Sequence, residues 1–150
     1  MLLKLLIICV LVVVTVGIHA VGFSMLIRAL TKSRALTKSG FWSATGLVLV
    51  LTCWLLLIHL AEIAVWGLFY FWQGCMPDAE TGFYFSAVTY TTLGYGDFVL
   101  PNAWRMFGPI ESLTGILMCG LSTGIFFAIV SRRIDYAVKA KFSKNRADRP

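Results

Sequence analysis

The chain has 150 residues, enough for one domain, and 59% of them are hydrophobic, with a mean hydropathy of +0.83. A soluble domain of that size has too little interior to hide so much apolar surface, so the composition excludes a soluble globular protein and points to a membrane protein. The net charge of +6 gathers in two clusters beside apolar runs, Arg28, Lys32, Arg34 and Lys38, then Arg132, Arg133, Lys139, Lys141, Lys144, Arg146 and Arg149; that placement marks cytoplasmic flanks rather than a nucleic-acid footprint.

In chain order, the first apolar run extends from Leu5 to Ile27 without a charge. It is long enough to cross a hydrocarbon core of roughly 30 Å, and a leading transmembrane helix is placed at 1–30. The basic start and the Ile18-His19-Ala20 step also fit a cleaved signal peptide. The apolar run continues past that step, which favours a retained helix. His19 is its one strongly polar residue. The span carries no arginine ladder, so voltage sensing of the usual kind has no charges to act on. Residues 31–40 read as a basic cytoplasmic linker.

The second span, the outer helix, is placed at 41–72. Trp42 and Trp72 lie about 45 Å apart along a helix, which matches a bilayer with its headgroups, and they read as an aromatic belt. Trp54 and Trp66 fall deeper and read as packing residues. The loop from Gln73 to Ala79 contains Gly74, Cys75, Pro77 and Asp78. Asp78 is a plausible N-cap for a helix over 79–91, with Glu80 adding negative charge to the first turn. That helix is too short to span, so it is read as re-entrant, a course tolerated only where protein or a wet cavity surrounds the backbone. A third span, the inner helix, is placed at 106–131, followed by a basic tail at 135–150.

Between the re-entrant helix and the third span stands Thr91-Thr92-Leu93-Gly94-Tyr95-Gly96-Asp97. Glycine takes left-handed backbone angles at little cost, and alternating it with restricted residues lets successive carbonyls face one side. Aligned carbonyls at low dielectric are ligands for a dehydrated cation. The Thr92 hydroxyl offers one more oxygen. Tyr84, Phe85 and Tyr90 are expected to form an aromatic collar around Tyr95.

Thr92-Leu93-Gly94-Tyr95-Gly96-Asp97 closely resembles the selectivity filter of tetrameric pore-loop potassium channels, and the resemblance covers about Ser43 to Ile134. It implies an all-α membrane protein with three transmembrane helices, a re-entrant pore helix and filter between the second and third, and a homotetrameric pore. Potassium would be held by the carbonyls of Thr92, Leu93, Gly94, Tyr95 and Gly96, supported by Thr91, Asp97, Tyr84, Phe85 and Val88. Leu93 departs from the more usual valine or isoleucine, although only its carbonyl need face the ion. Val88 stands four residues before Thr92, where some members carry a glutamate that pairs with the mouth aspartate. The potassium ion is the transported species, and no cofactor is expected. No metal-ligand spacing, nucleophile–base pair or phosphate loop suggests an enzyme.

Two carboxylates, Glu62 and Glu111, fall at membrane depth, where a charge costs roughly 2.5–3.5 kcal/mol at the centre. His59 lies one turn from Glu62. One reading groups His59, Glu62 and Glu111 as a polar cluster behind the filter that couples pH to conduction; the other has protonated glutamates bonded to backbone. Ser112, Gly115, Cys119 and Thr123 recur at helical spacing, either as a close-packing stripe or, by the resemblance, as the cavity lining, with Gly115 as gating hinge and Gly120 as runner-up. Phe126, Phe127 and Ile129 are weighed as an inner constriction or as lipid-facing residues. Cys9, Cys53 and Cys119 read as small hydrophobes and Cys75 as a free thiol. The charge pattern places the amino terminus outside and the carboxyl terminus in the cytoplasm of a plasma membrane. Arg132, Arg133, Lys139 and Lys141 either orient the chain or bind anionic lipid headgroups.

Overall fold

The computed structural model describes residues 2–33 and 41–147, with side chains through residue 139. Arg34, Lys38 and Arg149, and the side chains of Lys141, Lys144 and Arg146, lie outside them. The elements are α1 (Leu2–Ser33), α2 (Phe41–Trp72), α3 (Ala79–Tyr90) and α4 (Phe107–Ala147). Helices α1, α2 and α4 are each long and apolar enough to cross a membrane. The chain is an all-α membrane protein.

Helix α2 has the bounds expected from its tryptophans, and Trp42 and Trp72 are both exposed at its ends. It stops in a paired-turn cap. Gly74 takes a φ of 66°, its amide donates to Phe71 O and the Cys75 amide donates to Tyr70 O, which satisfies the last carbonyls of the helix. Asp78 then caps α3 by accepting from the Thr81 amide at 2.7 Å.

Helix α4 differs from expectation. The basic tail placed at 135–150 is not separate, because the helix runs on to Ala147. Residues 132–147 contain no glycine or proline and are rich in alanine and lysine, good helix formers. The charge marks where membrane ends, not where the helix ends. At 41 residues, about 60 Å, α4 outruns a bilayer of roughly 45 Å.

Helix α1 runs antiparallel along α2 of its own chain. Trp66 donates its indole N–H to Thr15 Oγ1 at 3.0 Å, His19 meets Glu62, and Trp54 donates to Gly22 O at 2.9 Å. Near the start of α1 Lys4 donates to Ala103 O at 2.5 Å and lies over the Trp104 ring. Ile8, Leu11, Phe69, Tyr70, Phe85 and Phe107 form one apolar cluster, and Phe23, Leu26, Leu30, Leu47 and Leu51 a second. Phe126 and Ile129 pack on the second cluster while Phe127 is exposed. These three residues therefore do not share a face, and of the two readings weighed for them the inner constriction loses Phe126 and Ile129.

Helix α3 sits between α2 and α4 at glycine contacts. A Cβ on Gly67 would lie 2.8 Å from Phe83 Cα, and one on Gly82 would lie 2.7 Å from Gly67 O. Two backbones thus touch where α2 and α3 cross.

Candidate functional site

The segment after α3 is built from the helix end outward. The Thr91 amide donates to Ala87 O, the Thr92 amide to Thr89 O at 3.0 Å, and the amides of Leu93 and Gly94 both to Val88 O, at 3.0 and 3.3 Å. The last carbonyls of α3 are thereby turned toward the segment, along with the negative end of its dipole. Val88, whose side chain is buried, acts here through its carbonyl.

Thr92, Gly94 and Gly96 have φ of 63°, 57° and 79°, while Leu93 and Tyr95 between them do not have positive φ. That alternation lets consecutive carbonyls project from one side of a ribbon. Among the described residues, no hydrogen bond reaches the carbonyls of Thr92, Leu93, Gly94, Tyr95 or Gly96. Five adjacent unpaired acceptors are the kind of oxygens that can ligate a dehydrated cation. Thr92 is the one non-glycine residue with positive φ among those described, and this left-handed strain sits within the segment.

Asp97 closes the segment. Its Oδ2 accepts the Tyr84 hydroxyl at 2.7 Å and its Oδ1 accepts the Phe98 amide at 3.1 Å. The hydrogen bond to Asp97 raises the Tyr84 hydroxyl above the usual phenol range. The expected collar around Tyr95 is corrected. Phe85 packs edge-on against Tyr70, and Tyr90 points its hydroxyl at Glu62. Only Tyr84 lies on the side of the segment. Tyr95 is 67% exposed and has no ring partner among the described residues.

The expected grouping of His59, Glu62 and Glu111 divides into two centres. In the first, Glu62 Oε1 lies 2.7 Å from His19 Nδ1, Oε2 lies 3.2 Å from His59 Nδ1, and the Tyr90 hydroxyl donates to Oε2. His59 Nε2 and His19 Nε2 reach Ser122 Oγ at 3.0 and 3.4 Å. In the second, Glu111 Oε2 accepts the Tyr70 hydroxyl at 2.7 Å and Oε1 lies 2.5 Å from Ser86 Oγ. Ser86 Oγ also reaches Ile63 O at 2.8 Å. The carboxylates separate because α3 passes between α2 and α4, and each takes hydroxyls from a different turn of it. The donor atoms of His19, His59 and Glu62 lie within 4.8 Å of one another. Each is already hydrogen-bonded inside the cluster, so an ion there would displace those bonds.

The small-residue stripe on α4 also divides. Ser112 donates to Thr89 O at 2.8 Å, and a Cβ on Gly115 would lie 2.2 Å from Tyr90 O. These two pack against α3. Cys119 and Thr123, one and two turns further, are exposed in the chain. Gly115 is thus required for close approach, and α4 is unbroken through both Gly115 and Gly120. At the basic end Arg132 and Lys139 are exposed, and Arg133 is buried.

Residues from the leading helix are the ones sequence reasoning missed. His19 was visible as the lone strongly polar residue of an apolar span. Nothing local linked it to Glu62, 43 positions away. Tyr70, Ser86 and Ser122 carried no signal.

No curated protein and no solved structure matches the chain. The ion channel family model matches residues 58–132, half of the sequence, from within α2 through α3 and the carbonyl segment into α4. The chain belongs to the ion channel family.

Proposed function

We propose that this chain is the subunit of a homotetrameric, potassium-selective channel that conducts passively, with no cofactor and no catalytic step. The observation that carries this reading is the run of five unpaired carbonyls from Thr92 to Gly96 on a backbone of alternating φ sign. One strand cannot enclose an ion. Four copies around a closed axis, the arrangement expected of a symmetric homo-oligomer, supply rings of oxygens that replace the hydration shell of potassium. Thr91 and Val88 fix the inner end of the strand, and Asp97 with Tyr84 fixes the outer mouth.

Inside the filter, Cys119 and Thr123 line the cavity. Of the two candidate hinges, Gly120, with no heavy atom within 4 Å of its added Cβ, is free to act where Gly115 is not. The chain lies in a plasma membrane with its amino terminus outside. This orientation puts Lys4 beside the outer return loop and Arg28, Lys32, Arg132 and Lys139 together on the cytoplasmic side. The exposed Arg132 and Lys139, with Lys141, suit anionic lipid headgroups.

The test is the reversal potential of purified protein in a planar bilayer, with potassium on one side and sodium on the other. The expected value lies near the potassium equilibrium potential. Gly94→Ala has space for its methyl but strains a φ of 57°, at about 1–2 kcal/mol in each subunit, and is expected to abolish the preference. Current without preference in the native protein would identify a non-selective cation pore instead.

A further inference from the structure

The chain contains two histidines, His19 and His59, and the fold brings both against one carboxylate. Glu62 is 0% exposed and His19 1%, so an unbalanced charge between them is costly. The hydrogen-bond geometry permits a count of protons. An ionised Glu62 only accepts. The Nδ1 atoms of His19 and His59 lie 2.7 and 3.2 Å from its two oxygens, so against an ionised carboxylate both carry hydrogen. The remaining ring nitrogens converge on a single hydroxyl, Ser122 Oγ.

One hydroxyl has one hydrogen to donate. With two neutral imidazoles, Ser122 serves one Nε2, the other lone pair goes unpaired, and the cluster keeps an uncompensated negative charge. One added proton resolves both problems. One Nε2–H then donates to Ser122, Ser122 donates to the other Nε2, every donor and acceptor is used, and the charges sum to zero. Moving that proton onto Glu62 leaves the same count. A second added proton would leave a net positive charge beside the fully buried Glu62 and His19.

We propose that His19, His59, Glu62 and Ser122 form an intramembrane proton-binding site that holds one shared proton, and that the Tyr90 hydroxyl links its occupancy to the pore helix. The site joins α1, α2 and α4, and Tyr90 brings in α3. Tyr90 donates to Glu62 and lies 3.0 Å from His59 Nδ1. It is the last residue of α3, two before Thr92. Its carbonyl oxygen is pressed against Gly115, so a displaced Tyr90 moves the filter base or α4. The other titratable groups facing the site are Cys119, whose thiol feels the Glu62 carboxylate and which in turn faces Tyr90, and Glu111, which faces Tyr90. The link to conduction rests on the channel reading, whereas the proton count does not.

Solid-state NMR of the full chain in bilayers, with 15N-histidine and 13C-carboxyl glutamate, reads the site directly because no other histidine is present. Near neutral pH, His19, His59 and Glu62 together are expected to carry one proton beyond two neutral rings and a carboxylate. Ser122→Ala is expected to end the sharing, giving one charged and one neutral ring. Two neutral rings over an ionised Glu62, or two rings that titrate independently in the native chain, would overturn the site. Potassium flux into vesicles is expected to change several-fold over the pH interval in which the shared proton titrates, and Tyr90→Phe to flatten that profile. Flux indifferent to that titration would overturn the link. No flux at any pH, with the shared proton present, would sink the channel reading and leave the proton site standing.

Discussion

A methyl group added at Gly115 would press on the Tyr90 carbonyl, a backbone atom that cannot swing aside, whereas one added at Gly120 meets nothing within 4 Å. Gly115→Ala is therefore expected to push α4 off α3, an overpacking cost of about 1–3 kcal/mol, and to lower the unfolding temperature of the purified protein. Gly120→Ala is expected to leave stability unchanged and to alter open probability in single-channel records if that residue is the hinge. The reverse pattern would return the hinge to Gly115. Asp78 supports a second prediction at this scale. The Thr81 amide, as its N-cap donor, holds the Asp78 carboxyl below the usual carboxylate range. Because the folded value is depressed, the cap contributes fully above the ordinary carboxyl range, and the contribution is lost as pH falls through the lower folded value. Asp78→Asn keeps an acceptor at the N-cap without a titrating charge. Compared by thermal unfolding across the acid range below pH ~4, native protein should lose more stability than the variant. Equal slopes would remove Asp78 from the acid response.

At the scale of helices, α3 is held against both α2 and α4 by backbone contacts and by buried hydroxyls. Glu111 Oε2 accepts from Tyr70, and Oε1 lies beside Ser86, which also reaches Ile63 O, so Glu111→Ala orphans the buried Tyr70 hydroxyl at about 1–3 kcal/mol while Ser86 keeps a backbone acceptor. Glu111→Gln keeps one carbonyl acceptor and should cost clearly less. The order of unfolding temperatures, native above Gln above Ala, checks this, and equal losses would mean that the volume alone matters. Much of this arrangement was legible in the sequence. The bounds of α2 followed from its tryptophan anchors, α3 from Asp78 and from a length too short to span, and the carbonyl segment from its alternating glycines. The pairings between helices were not legible. Apolar spans offer lipid and neighbouring helices equally suitable surfaces on every side, so hydropathy does not say which face of α1 meets α2. His59 could be assigned to Glu62 because one helix turn fixes their distance. His19 could not, because only the antiparallel register of α1 and α2 brings it there. Depth alone groups Glu111 with Glu62, and depth does not record that α3 passes between them. A run of charge reads as the end of a span, yet no helix breaker divides the tail from α4.

For the assembled molecule, the proposed tetramer gives meaning to surfaces that a single chain leaves open. Tyr95, 67% exposed, and the unpaired carbonyls of Thr92 to Gly96 have no partner among the described residues. Five oxygens on one strand are poor ligands alone, and four strands facing inward without a cation repel one another. Under the proposed function potassium binds the assembled carbonyl segments and not the separated chains, and a ligand with that preference stabilises the assembly by mass action, by about 2.7 kcal/mol for each independent site at a concentration 100 times its Kd. Native protein in detergent is expected to remain tetrameric to a higher temperature in potassium than in sodium at equal ionic strength, with the midpoint rising as potassium is added. Gly94→Ala, which strains the strand at a positive φ, should lose most of that increment while keeping its helix content. Sedimentation or native mass spectrometry over a temperature series separates the outcomes. A tetramer indifferent to the cation would mean that its stability comes from the helices and that the filter is not occupied. A monomer under all cations would remove the closed ring on which selective coordination depends. A potassium increment that survives Gly94→Ala would place the bound ion somewhere other than the Thr92 to Gly96 carbonyls, because the strained strand cannot present them in the same alignment.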